Sequence, residues 1–111
     1  MSGQTEKKLL VPEDNIVSIS NRKSAKFFIY IAKIFLKKFP TVELKALGNA
    51  SEVSVQVAEH LQRFKFAEIT KITSESVEMQ NRDDRTVNAI RFNITVTKTK
   101  DFDKLVGDSL Q

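Results

Sequence analysis

Residues 16–47 read IVSISNRKSAKFFIYIAKIFLKKFPTVELKAL. Residues 16–20 are a short β-branched run and are expected to form a strand. Ser24 stands where a helix cap belongs, the helix runs to about Phe39, and Pro40 follows where a helix stop is expected. From Thr41 to Leu47 the residues alternate with period two, placing Val42, Leu44 and Ala46 on one face of a second strand.

Outward from this unit, a second helix is marked by Asn49 or Ser51, with Ala50, Val53, Val57, Leu61 and Phe64 at the three-and-four spacing of one buried stripe. Residues 69–79 and 87–98 are rich in Thr, Ile and Val, and flank the polar tip Gln80–Arg85, as a long antiparallel hairpin does. Ile90, Phe92, Ile94 and Val96 share one face of its second arm, while Arg91, Asn93, Thr95 and Thr97 share the other. In the first arm Ile72 and Val77 differ in parity, so a bulge or bend is expected between them. The order βαβαββ predicts an α/β two-layer sandwich, a four-stranded mixed sheet with two helices on one face.

The charge is unevenly placed. Asn21–Gly48 holds seven basic side chains (Arg22, Lys23, Lys26, Lys33, Lys37, Lys38, Lys45) against Glu43 alone, whereas the rest of the chain sums to −2. Such a segment attracts a polyanion, because each phosphate neutralised by Lys or Arg releases condensed counterions. The plainer reading of a charge run is the solvated face of a helix.

At 111 residues the chain is expected to form one domain, 15–100, between a flexible N-terminal tail, 1–14, and an acidic C-terminal tail, 101–111. With no cysteine and one histidine, His60, a disulfide framework and a zinc site are not expected, and no cofactor is called for. An intracellular location fits best. Neither a signal peptide nor a membrane anchor is read, since the start MSGQTEKK has no long apolar stretch behind it, and Phe27–Leu36 is interrupted by Lys33 and is too short to cross a bilayer.

The first helix carries two apolar stripes. Ala25, Phe28, Ile29, Ala32, Phe35, Leu36 and Phe39 would cover the sheet. Phe27, Tyr30, Ile31 and Ile34 would face water in a two-layer monomer, which predicts a homodimer with its interface there. Read at helical spacing, the aromatics Phe27, Phe28, Tyr30, Phe35 and Phe39 are core and interface and not a base-stacking platform.

With these elements in place the chain resembles the Alba family of small basic DNA- and RNA-binding proteins, over roughly residues 15–100. The resemblance rests on Ile16–Lys23, on Phe27–Ala32, and on Val42–Gly48 followed by Asn49–Ser51. It implies a fold like the C-terminal domain of translation initiation factor three and a dimer with hairpin arms. It implies double-stranded DNA and RNA as partners, held by the loops after the first two strands and by the arms. A nuclear, chromatin location and a cytoplasmic one follow from it.

On this chain the implied contacts fall on Asn21, Arg22, Lys23 and Lys26 around the first loop, and on Lys45, Gly48 and Asn49 around the second. Arg91, Arg82 and Arg85 belong to the arm, where Asp83 and Asp84 partly cancel the tip. Loop-lysine acetylation in the family makes Lys23 the acetylation candidate and a deacetylase a further partner. Arginine at position 22 does not support acetylation there. Leu47 and Asn49 flank Gly48 where archaeal members carry arginines, which implies redistributed binding and more use of RNA.

Two other classes compete with a non-enzymatic binder. One is a subunit of a ribonucleoprotein enzyme like ribonuclease P, paired as a heterodimer with a related Alba-domain protein. The other is a weak enzyme. Glu75, Glu78, Asp83 and Asp84 lack the convergent spacing of a metal-dependent nuclease, and Lys23 or Lys26 would serve a lyase through a Schiff base with an opened abasic sugar.

Overall fold

The computed structural model describes residues 14–106. Residues 1–13, nearly all of the expected N-terminal tail, and residues 107–111 lie outside that range. The chain runs β1 (Ile16–Ile19), α1 (Ala25–Lys38), β2 (Thr41–Leu47), a 3₁₀ turn (Gly48–Ala50), α2 (Ser51–Arg63), β3 (Ala67–Gln80), β4 (Thr86–Lys98) and α3 (Phe102–Val106). The sheet order is β1-β2-β4-β3, with β1 and β2 parallel and the other pairs antiparallel.

Local chemistry sets the helix ends. Ser24 Oγ accepts the Phe27 N–H at 3.3 Å, which satisfies one donor of the first turn of α1. Lys37 and Lys38 lie in its last turn, where positive charge suits the helix dipole, and Pro40 follows. α2 starts at Ser51, one of the two residues expected to mark it, but without a side-chain cap: Ala50 holds the cap position, and the preceding 3₁₀ turn leads the chain in. Gly48 enters that turn at φ +59°. A Cβ there would meet nothing within 4 Å, so the glycine answers to backbone conformation and not to crowding.

The core lies between the sheet and the two helices. Val17, Ile19, Val42, Leu44, Ala46, Ile94 and Val96 supply the sheet side; Phe28, Ile31, Ala32, Phe35, Leu36, Val57, Ala58 and Leu61 supply the helix side. Ser54 is the buried polar residue of this layer, and its hydroxyl donates to the Ser51 carbonyl at 2.7 Å.

Several expectations need correction. Ile31, assigned to a dimer interface, is 4% exposed and part of its own chain's core. It lies three residues after Phe28 and four before Phe35, so burying those rings buries it too. Phe64 is exposed instead of completing the α2 stripe, because it stands at the C-cap where the backbone leaves the helix. The irregularity in β3 sits between Ile69 and Lys71, not between Ile72 and Val77. It keeps Ile69, opposite Val96, and Ile72, opposite Ile94, on one face despite their odd spacing. Ile72 and Val77 differ in parity because they occupy opposite faces of a regular ribbon. The folded unit also passes residue 100, since α3 buries Phe102 and Val106 and thereby takes up the start of the expected acidic tail.

Candidate nucleic-acid interface

The topology collects the implied contact residues at one end of the sheet. β1 and β2 are parallel, so both finish there, and both helices begin there. β4 starts beyond that end, because Leu47, the last residue of β2, lies opposite Arg91. Two helix N-termini therefore share an end with the loops that follow β1 and β2, with the Phe27 N–H of α1 held by Ser24 and the Ser51 N–H of α2 held by the Gly48 carbonyl.

The two loops border one hollow. Ile19, Ser20 and Asn21 from the first, with Leu47, Asn49 and Ala50 from the second, line a hollow of about 320 Å³. Ser20 shapes the first loop, its Oγ accepting the Arg22 N–H at 3.3 Å. Asn21, Arg22, Lys23 and Lys26 are exposed around it, as are Gly48 and Asn49. The Lys23 ammonium rests 5.4 Å from the centre of the Phe27 ring, which holds it near the start of α1.

A second hollow of about 310 Å³ continues onto the bare face of the sheet, lined by Ser18, Ile19, Lys45, Ala46, Leu47 and Arg91. Its two cations are already partnered. Lys45 Nζ lies 3.4 Å from Glu43, and Arg91 lies 3.3 Å from Glu75. The sequence reading named the cations and the carboxylates but not their pairing. Glu43 and Lys45 alternate onto one face of a strand and were legible there; the Glu75–Arg91 pair depends on the hairpin register. These part-exposed pairs are worth little individually, and a phosphate can compete for either cation.

The arm brings its arginines elsewhere. Five residue pairs of β3 and β4, from Ser76–Ile90 to Gln80–Thr86, extend beyond the end of β2, about 17 Å at the usual strand rise. Asn81 Oδ1 accepts the N–H groups of Asp83 and Arg85 at 2.9 and 3.0 Å, and Asp84 takes φ +59° to close the turn. Arg82 and Arg85 are exposed at this tip, a strand's length from Arg22 and Lys23. Among the described residues no group of three or more His, Cys, Asp or Glu side chains comes together to hold a metal ion.

The arm also carries exposed apolar surface. Ile72 and Ile90, 54% and 52% exposed, continue the face that holds Ile94 and Val96, and Met79 and Val87 lie on the other side. The outer side of α1 holds less: Phe27 and Ile34 are half-buried, leaving Tyr30.

Two ionisable groups are perturbed, both away from this end. Burial lowers the Lys33 ammonium pKa below the ordinary lysine value, and its Nζ sits 4.2 Å from the centre of the Phe66 ring. His60, in the last turn of α2, is pushed below the ordinary imidazole value by burial, then by Lys33 and Arg63, with Glu59 opposing. Its ring packs on Phe64 with centroids 4.5 Å apart.

Residues 15–76 match the Alba family model. An uncharacterized protein of Arabidopsis thaliana is 35% identical over 97 residues, covering 84% of this chain and 73% of that protein. Among solved structures, ALBA1 from Trypanosoma brucei superposes with a TM-score of 0.73 at 26% identity, covering 89% of this chain and 82% of that one. Alba from Thermoplasma volcanium shares the fold with a TM-score of 0.66 at 23% identity, covering 76% of this chain and all of that one.

Proposed function

The chain belongs to the Alba family of nucleic-acid-binding proteins, and from that premise we propose that it binds DNA and RNA at the arm end of the sheet, without catalysis. One observation carries the reading. Asn21 of the first loop shares a hollow with Leu47, Asn49 and Ala50 of the second, and the exposed cations Arg22, Lys23 and Lys26 follow Asn21 into the first turn of α1. That arrangement suits phosphate oxygens, because exposed cations lie beside the positive ends of two helix dipoles, and base-edge recognition is not built in. Acetylation of Lys23 would remove one of those charges.

The active form is a dimer, as in the family, and we place its contact on the helix-side face of the arm, at Ile72 and Ile90. The alternative on α1 would bring Tyr30 against its symmetry mate with Lys26 and Lys37 of both copies alongside, and like charges oppose that approach. Pairing through the arm base would set two loop sites on one elongated body, so that one nucleic acid meets both.

Fluorescence anisotropy against a matched DNA duplex and single-stranded RNA at several salt concentrations tests the reading. A slope of log affinity on log salt steeper than about −3 on duplex DNA is expected, because several phosphates are neutralised at once. Salt-insensitive binding, or none to either ligand, overturns it.

A further inference from the structure

The outer side of α1 is a second cationic surface to which the loop site gives no role. Lys26, Tyr30, Lys33 and Lys37 recur at intervals of four, three and four residues and so form one ridge along the helix, about 16 Å from first to last. No carboxylate occurs anywhere in α1. Lys33 leans over the Phe66 ring toward α2, while Lys26 and Lys37 are exposed and make no ion pair among the described residues. The cations of the sheet face, Lys45 and Arg91, are by contrast each matched to a glutamate.

Tyr30 interrupts the lysines. It is 43% exposed, and among the described residues its ring has no aromatic or cationic partner and its hydroxyl no hydrogen bond. The other aromatics of α1 and its cap, Phe27, Phe28, Phe35 and Phe39, are covered or half-covered. An aromatic ring left open between free ammonium groups matches the chemistry of unpaired nucleic acid, whose bases stack on rings while its phosphates track cations. A duplex offers phosphates but keeps its bases stacked away from such a ring.

Resting on the proposed loop site, we infer that the outer face of α1 is a track for a single-stranded segment leaving that site, with Lys26 and Lys37 on phosphates and Tyr30 beneath a base. Lys23 lies at the start of the ridge, so a strand held by the first loop passes onto α1 without a gap in positive charge. Lys26 belongs to both sites, and the track proper begins at Tyr30.

The test compares a blunt RNA duplex with the same duplex carrying a ten-nucleotide uridine tail, using the full chain. Wild type gains affinity from the tail. The Tyr30→Ala, Lys37→Gln double variant keeps its blunt-duplex affinity and its circular dichroism spectrum and loses roughly tenfold of the tail gain. Its salt slope on the tailed probe becomes shallower by about 0.7, one single-strand phosphate. Tyr30→Phe keeps the gain, since a ring suffices. A tail that adds nothing to wild type, or a gain that survives in the double variant, overturns the track. Salt-sensitive duplex binding with no tail effect retains the loop site alone. A tail gain without duplex binding removes the loop reading and leaves the track, and binding to neither probe removes both.

Discussion

The two ends of the sheet are built from the same strands and differ in the backbone polarity they offer. At the arm end, β1 and β2 finish, both helices begin, and Arg22, Lys23 and Lys26 stand free around the joined loops. At the opposite end both helices finish, and Lys65 turns the chain at φ +65°. A hollow of about 450 Å³ there, larger than either at the arm end, is lined by Gln62, Lys65, Ala67, Glu68, Ile69, Thr99 and Asp101. Glu68, Asp101 and the carbonyl end of α2 offset Lys65 in this hollow, so the bigger hollow is the poorer place for phosphate. Helix polarity and the local carboxylates select the end, and cavity size does not.

The opposite end is a lock, and breaking it gives the largest expected effect. Phe102 is fully buried and packs edge-on to Phe66 with centroids 6.2 Å apart, while Lys98 reaches over its ring. Phe102→Ala should cost about 3–5 kcal/mol of stability in urea unfolding. Duplex affinity at low temperature, where the variant stays folded, should not change. A variant as stable as wild type would show that α3 is not part of the folded unit.

The arm is sharpened by a second pair of changes. Ile72→Asp with Ile90→Asp should convert the proposed dimer to monomer in sedimentation, because a carboxylate in an apolar contact without a partner costs several kcal/mol. Thermal stability of the monomer should move little, both positions being more than half exposed in the single chain. A double variant that still sediments as a dimer would move the contact away from the arm.

His60 supplies the smallest effect and belongs to the opposite end. Its folded pKa lies below the unfolded value near 6.5, so the unfolded chain binds more protons in the interval just beneath that value. Stability should therefore be fully present above about pH 6.5 and decline as pH falls through the folded pKa. His60→Gln should flatten that limb of a melting-temperature profile without altering nucleic-acid binding. An unchanged profile would assign the acid limb to other groups.

Much of this was legible because period and punctuation report faces and ends. Ser24, Pro40 and the alternation of Val42, Leu44 and Ala46 mark β1, α1 and β2 nearly residue by residue, and the loop cations are surface residues whose position follows from element order. What failed was depth. Ile31 and Tyr30 lie on neighbouring flanks of α1, yet one is 4% and the other 43% exposed. That depends on how deeply the helix settles on the sheet, a property of packing and not of period. The hairpin shows the same limit. Ile90 and Ile94 alternate identically in sequence, but α2 covers the sheet at Ile94 and does not reach Ile90. Partners across register, such as Glu75 for Arg91, and the packing of Phe102 are also set by the assembled fold.

The contrast between the ends can be tested with matched charge removal. Arg22→Ala with Lys23→Ala takes two cations from the arm end, and Lys100→Ala with Lys104→Ala takes two from the opposite end, leaving net charge equal in the two variants. On one DNA duplex at fixed salt, the first pair should lose roughly hundredfold in affinity, as two charge-assisted phosphate contacts imply. The second pair should stay within about twofold of wild type. Equal losses in the two variants would mean that the chain binds through net charge alone and would contradict a site at the arm end.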